Sequence, residues 1–540
     1  MNVALNCQKI AHQINRLNTI YLIIFFIAIF SLDLFSFPNN IVRGGDSSEY
    51  YNNTFRMLLG DKPYRDFWLL FPPGEVYLPF TIFKLLGFQI EFVQIFLKLL
   101  SICGGILGYL IAREYCQNLI GVLVAILTYS SIAYEGRMLS YAGVVYVIFL
   151  LIGCLLIINY FKKRNNLILL ATGISIGCSF LFRFELASAF LLACFCTLGL
   201  QLITNNKKIS QVLIEYLILI TGFLTVLIAA FIVASILGID KYMFPAIFLE
   251  GVKHGTSMNL PYFFSVGRPR ISLFFLSSYI SYLLPFILWL ITIYLVVMRK
   301  INNYDILICS LFMFWSIFAF PKALGRSDIR HLVHTLYPCY FLLGFYLDKF
   351  SKIRQINFKK SIRLFLICIT IPLLISSINK LLPDNSGFGV SSYFEVVTPN
   401  GKVAVPNSNQ AQLLNNIIST INLYSNKEDY IFVTPWELPP LYALTGRRNP
   451  TYYDSLIDVI VRPSVAKQTN ICNSLKSKKP KLIIHYKNIN VPIFDNKKEF
   501  AFSAAAPLLQ KCIEENYSVF KSYNDYLIYT LNNEKIEPIN

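Results

Sequence analysis

Charge is scarce in this sequence. Asp, Glu, Lys and Arg make up 14% of its 540 residues, against 55% hydrophobic and 15% aromatic. A water-soluble chain of this size carries roughly a quarter charged residues, so the ordinary soluble classes are excluded. The signatures of nucleotide and hydrolase chemistry are missing too. There is no Walker A loop, no G-x-S-x-G, no H-E-x-x-H and no G-x-G-x-x-G after a strand pattern. That argues against a nucleotide-driven pump and a serine hydrolase. None of the 12 cysteines has C-x-x-C spacing, and most lie in apolar runs, where cysteine acts as a small hydrophobe. The first apolar run is too long for a cleavable signal and no small-residue cleavage site follows it. Internal repeats and low-complexity tracts are absent as well.

Apolar runs of membrane-spanning length fill the first two thirds of the chain. They predict a polytopic α-helical membrane protein with about 11 spans, near 18–36, 92–112, 118–133, 141–160, 167–182, 185–203, 211–237, 271–298, 304–320, 331–347 and 361–380. The net charge of +18 is no nucleic-acid signal, because the cations sit in short clusters between spans. Lys162-Lys163-Arg164, Lys207-Lys208, Arg299-Lys300 and the stretch from Lys349 to Arg363 fall on one side, with Lys9 and Arg16. By the positive-inside rule that side is cytoplasmic, at the inner (plasma) membrane of a bacterium. The N-terminus is then cytoplasmic and the C-terminal part periplasmic or otherwise extracytoplasmic. Segment 47–59 predicts a short amphipathic helix ending at Gly60. Segment 76–90 is apolar but too short to span, and predicts a helix in the interface plane.

Composition changes near residue 383, and no later run can span. We divide the chain into a membrane domain, 1–382, and an extracytoplasmic domain, 383–540. Helical patterns at Asn409 to Leu423 and Pro507 to Glu514 alternate with strand patterns at 430–433, 482–485 and 526–529. This predicts a small soluble α/β domain. Cys472 and Cys512 lie in it, and an oxidising compartment would let them pair.

The unusual charges all fall on the outer face in this topology. Asp46 follows the first run, within Arg43-Gly44-Gly45-Asp46-Ser47-Ser48-Glu49. A carboxylate there can take a proton from an acceptor hydroxyl or amine, and glycines beside it allow close approach of a substrate. Glu49 comes three residues on. Arg65-Asp66, between Pro63-Tyr64 and Phe67-Trp68, reads as a local ion pair among aromatic anchors, or as an arginine aimed at a lipid phosphate. Phe71-Pro72-Pro73-Gly74 reads as a rigid turn opening the interfacial helix. Glu135 with Arg137, and Arg183 with Glu185, lie at sharp turns between spans, where pairing and substrate binding are equal readings. Lys322, Arg326, Asp328, Arg330, His331 and His334 form the densest outer charged stretch. Arginine forks match phosphate oxygens. His331 and His334 can share a helix face, but no cysteine or paired carboxylate accompanies them for a metal. Loop 238–270 reads as a lid or as a plain connection.

Gly45-Asp46, Gly60-Asp61-Lys62-Pro63-Tyr64-Arg65-Asp66-Phe67, Phe71-Pro72-Pro73-Gly74 and Gly325-Arg326-Ser327-Asp328-Ile329-Arg330-His331 resemble strings of the GT-C-fold glycosyltransferases. The likeness is to bacterial relatives of the protein O-mannosyltransferases and the lipid A aminoarabinose transferase, and in layout it covers roughly residues 10–380. It implies a polyprenyl-phosphate sugar donor, a glycan, lipid or protein acceptor in the cell envelope, and no cofactor or metal. Asp46 matches the first-loop acid that acts on or holds the acceptor. Many relatives carry a second acid directly beside the first, where this chain has Ser47. Arg65, Arg183, Arg326 or Lys322 would stabilise the leaving phosphate, with the other charged residues lining the substrate site. The competing readings are a transporter or flippase of a lipid-linked glycan, which predicts charges deep in several spans and inverted repeats, and a non-catalytic envelope-assembly protein.

Overall fold

A computed structural model describes residues 27, 46–139, 144–204, 207–250, 273–298, 300–325, 329–351, 357–381, 394–398, 400–405, 407–434, 440–456, 464–487, 502–532, 534 and 537–539. The expected first span, 18–36, lies almost wholly outside them. Every later expected span coincides with a helix. The chain opens with α1 (Asp46–Leu58) and α2 (Gly74–Leu86), and continues through α3 (Ile90–Arg113), α4 (Asn118–Leu139), α5 (Val145–Lys163), α6 (Asn166–Phe180), α7 (Phe184–Thr204) and α8 (Ile209–Leu237). A short α9 (Asp240–Phe244) runs into a π-helical turn, Pro245–Glu250. Then come α10 (Leu273–Val297), α11 (Asn303–Gly325), α12 (Ile329–Ser351) and α13 (Asn357–Leu381).

Six of these helices, α3, α5, α7, α8, α10 and α11, are each long and apolar enough to cross a membrane. Their outer faces are as apolar as their packed ones. On α8, Leu217, Ile228 and Phe231 are more than half exposed. Hydrocarbon is the solvent such a surface matches, since a helix satisfies its own backbone polar groups. Between helices that share this solvent, close packing replaces the hydrophobic drive, and small residues set the approach. A Cβ at Gly173 on α6 would lie 2.1 Å from the Leu219 carbonyl oxygen of α8, and one at Gly222 would lie 2.2 Å from that of Leu170. Either substitution pushes the two helices apart. The chain is an integral membrane protein. The expected interfacial helix is α2, whose Leu85 and Leu86 are 77% and 60% exposed.

The C-terminal region begins with a hairpin, β1 (Phe394–Thr398) and β2 (Gly401–Val405). It continues through α14 (Ser408–Tyr424), β3 (Ile431–Thr434), α15 (Leu441–Thr445), α16 (Val465–Lys478), β4 (Leu482–Tyr486), α17 (Phe502–Ala505), α18 (Pro507–Asn516), β5 (Tyr517–Tyr523) and β6 (Tyr526–Leu531). The four-stranded sheet has the order β3-β4-β6-β5, with β3 and β4 parallel and the other pairs antiparallel. Strand periodicity divides its side chains between two faces. Phe432, Ile483 and Tyr529 pack with Ile471, Leu475 and Leu509 of α16 and α18. Ile431, Val433, Ile484 and Ile528 join Leu414, Ile417 and Ile421 of α14. This is the small α/β unit expected, with helices on both faces. Cys472 and Cys512 form a disulfide that staples α16 to α18, with Cα atoms 6.0 Å apart.

Candidate active site

The α1–α2 loop carries much of the unusual charge, and it is pinned rather than free. Gly60 and Tyr64 take left-handed backbone conformations, φ +97° and +65°, which turn the chain back across α1. The Tyr64 hydroxyl donates to the Phe71 carbonyl at 2.7 Å, and Lys62 Nζ donates to the Leu237 carbonyl at 2.7 Å. That second contact puts a cation on the C-terminal carbonyls of α8, where the helix dipole favours it. Arg65 and Asp66 pair with each other at 2.6 Å. The Arg65 hydrogen bond holds the Asp66 carboxyl below its usual range, helped by the Lys62 amide. This is the local ion pair, and Arg65 remains exposed.

The Phe-Pro-Pro-Gly string does more than begin α2. The Gly74 amide donates to the Leu181 carbonyl at 2.8 Å, and a Cβ at Gly74 would lie 2.6 Å from that same oxygen. Only glycine allows this approach. It docks the start of α2 on the α6–α7 turn and brings Glu75 within 3.1 Å of Arg183. Both side chains are buried, and the Arg183 guanidinium lies 5.1 Å from the centre of the Phe71 ring. Arg183 therefore pairs with Glu75, while its neighbour Glu185 pairs with Lys322 of α11 at 2.8 Å. On α12, the His334 Nδ1 bonds the Tyr146 hydroxyl of α5, and the His331 ring lies 6.5 Å from the His334 ring. Among the described residues no group of three metal-ligand side chains forms.

Arg183, Glu185, Lys322 and His331 thus come from three helices to one end of the bundle, the end at which α1 and α2 lie. Glu49 is half-buried on the first turn of α1. Asp46 is the first residue of that helix, but its side chain lies outside the described residues. So do those of Glu135, Arg137 and Arg330, the whole of Arg326 and Asp328, and the part of loop 238–270 beyond Glu250.

Three features escaped the sequence reading. Glu75 is the buried partner of Arg183; an acid directly after Pro-Pro-Gly in an apolar run was its signal. Lys98 is 6% exposed on spanning helix α3, one turn beyond Gln94, whose amide donates to the Tyr51 hydroxyl of α1 at 3.2 Å. Buried intramembrane cations commonly mark substrate paths. The third is the tether to the C-terminal unit. Arg56 of α1 is buried between Asp61 at 2.8 Å and Asp454 at 3.4 Å, and it donates to the Thr451 and Asp66 carbonyls. Burial pushes the Asp454 carboxyl up, with Arg56 pulling the other way. The Trp68 amide donates to the Tyr452 carbonyl at 2.7 Å, and the Tyr452 hydroxyl to the Tyr64 carbonyl at 2.7 Å.

The fold is the GT-C glycosyltransferase fold, with a small C-terminal sheet region. Two solved structures share it. One is ArnT from Cupriavidus metallidurans bound to undecaprenyl phosphate, with a TM-score of 0.50 and 11% identity over 94% of this chain and 97% of that one. The other is the Archaeoglobus fulgidus oligosaccharyltransferase in its apo form, with a TM-score of 0.50 and 12% identity over 96% of this chain and 75% of that one. No family model matches the sequence, and no curated protein matches it.

Proposed function

We propose that the chain is a glycosyltransferase. It moves a sugar from a polyprenyl-phosphate donor to an envelope glycan, lipid or protein acceptor on the extracytoplasmic face of the membrane. The observation that carries this reading is the convergence of Arg183, Lys322, Glu75, Glu185 and His331 at the α1–α2 end of a GT-C bundle. The ArnT structure, which holds undecaprenyl phosphate, supports a lipid-linked donor. Residues 1–382 serve as the catalytic membrane region and 383–540 as an extracytoplasmic domain. The Cys472–Cys512 disulfide supports that side, because such bonds persist in oxidising compartments.

The chemistry is a single displacement. Asp46 takes or orients the acceptor proton. The acceptor oxygen or nitrogen forms a bond to the anomeric carbon. The bond from that carbon to the phosphate oxygen breaks, and its electron pair leaves with the polyprenyl phosphate, so the configuration inverts. The leaving group is already anionic and needs positive charge more than a proton. Arg183 and Lys322 supply that charge by exchanging their carboxylate partners for phosphate oxygens. Arg65, Asp66, Glu135, Arg137, Arg326 and Asp328 complete the substrate site. The test is Asp46→Asn in membranes supplied with a lipid-linked sugar. The expected result is a loss of about 10²–10⁴-fold in transfer with unchanged membrane insertion. Full transfer by the variant would remove Asp46 from catalysis.

A further inference from the structure

A second polar cavity lies away from the Glu75–Arg183 pair, at the seam between the α1–α2 loop and the C-terminal unit. It encloses about 260 Å³ and is lined by Arg56, Asp61 and Asp66 on one side and by Tyr430, Arg448 and Lys478 on the other. The two sides differ in how their charges are used. Arg56 is saturated by Asp61, Asp454 and two backbone carbonyls. Asp66 is held by Arg65 and the Lys62 amide. Arg448 and Lys478, in contrast, meet no carboxylate among the described residues. Lys478 lies over the Tyr430 ring at 5.1 Å. The backbone behind them is fixed, because the Ile431 amide donates to the Arg448 carbonyl at 3.0 Å and the Lys481 amide to that of Tyr430 at 2.8 Å.

We infer that this cavity binds an acidic saccharide unit, a sugar that bears one carboxylate or phosphate. Arg448 and Lys478 receive the anionic group, the arginine through its planar fork. Free lone pairs on Asp61 and Asp66 accept hydroxyl protons, and the Tyr430 ring supplies an apolar face for the sugar ring. A cavity lined by cations alone would hold any small anion. The carboxylate wall opposite disfavours a bare phosphate and selects a ligand that also carries donors. Arg56 and Asp46 lie ten residues apart on α1, about 15 Å along the helix axis. The cavity therefore holds a unit some distance along an acceptor glycan whose end is at Asp46. That placement rests on the transferase reading; the binding itself does not.

The test uses the full chain in detergent micelles at low ionic strength, where such contacts are least screened. Three trisaccharides of one backbone serve as probes: one neutral, one with a terminal glucuronate and one with a terminal 6-phosphate. At least one acidic probe is expected to bind about tenfold tighter than the neutral one. Arg448→Ala with Lys478→Ala removes that preference and leaves the melting midpoint unchanged, since neither residue forms an ion pair. Asp46→Asn leaves it intact. Equal binding of all three probes overturns the inference, and so does a preference that survives the double substitution. Transfer that persists in Asp46→Asn would instead overturn the transferase reading and leave the binding result standing.

Discussion

The two ends of the helical bundle carry the same kinds of charge in different settings. At the end where α5 stops and α8 starts, Lys162 meets Glu114 with both side chains partly exposed, Lys207 meets Glu215, and Lys349 meets Asp305. These lysines belong to the basic clusters that set topology. At the other end Arg183 and Glu75 are buried, α2 lies across the α6–α7 turn, and the C-terminal unit is fastened to α1 through Arg56. An ion pair in contact with water costs little to break. A buried pair holds two charges whose desolvation is offset only by each other. The difference separates a border from a site: one end needs charge for orientation, and the other holds charge in reserve for a ligand.

The largest effect that can break this comparison is at Arg183. With Arg183→Met the Glu75 carboxylate stays buried without its cation. Such removals cost about 3–5 kcal/mol, so the melting midpoint of the purified protein in detergent should drop sharply. Adding Glu75→Gln should restore much of it, because no uncompensated charge remains, while sugar transfer stays low. Were the single variant as stable as the parent, the pair would be no more than a surface contact, and the two ends would be alike.

Much of the fold was legible because membrane helices announce themselves by length and apolarity. The strands β3 and β4 were legible for a related reason: Ile431-Phe432-Val433 and Leu482-Ile483-Ile484 are buried on both faces, so they read as continuous apolar runs. Their partners gave no such signal. In β5 only Tyr517 is buried, as befits the edge of a sheet. In α16 just Gln468, Ile471 and Leu475 face inward from a helix rich in Lys, Asn and Ser. The hairpin β1–β2 was hidden in the same way, with Phe394 and Glu395 exposed. The site was legible as a set of residue types on one face, but its pairing was not. Arg183 and Glu185 stand two apart and suggest a local pair. The glycine contact between Gly74 and Leu181 gives Arg183 a partner on α2 instead, and Glu185 turns to Lys322. No sequence spacing encodes a choice between partners from different helices.

An intermediate effect concerns the unit that covers the site end. His485 on β4 is buried between the Phe502 and Tyr529 rings, and this burial lowers its pKa to about 4. Glu514 opposes the shift and Lys487 adds to it. In the unfolded chain a histidine titrates near 6.5. The stability tied to the neutral ring is therefore fully present above about pH 6.5 and is lost as pH falls from there to about 4. The loss amounts to about 3 kcal/mol. Thermal melts of the parent should show this slope and His485→Gln should flatten it. The bundle, held by apolar packing, should keep its helical signal through the same range, so the site end should lose its cover first in acid.

The smallest effect belongs to the opposite end. Glu114→Gln removes the partner of Lys162, but both side chains already reach solvent, at 26% and 39% exposure. Water and counterions replace what the pair supplied, and exposed pairs contribute about 0–1 kcal/mol. The midpoint should shift by no more than this, and the shift should shrink further in high salt. Transfer should be unchanged. A Glu114→Gln variant as damaged as Arg183→Met would mean that the topology charges also hold the bundle together, and burial would no longer distinguish the site from the border.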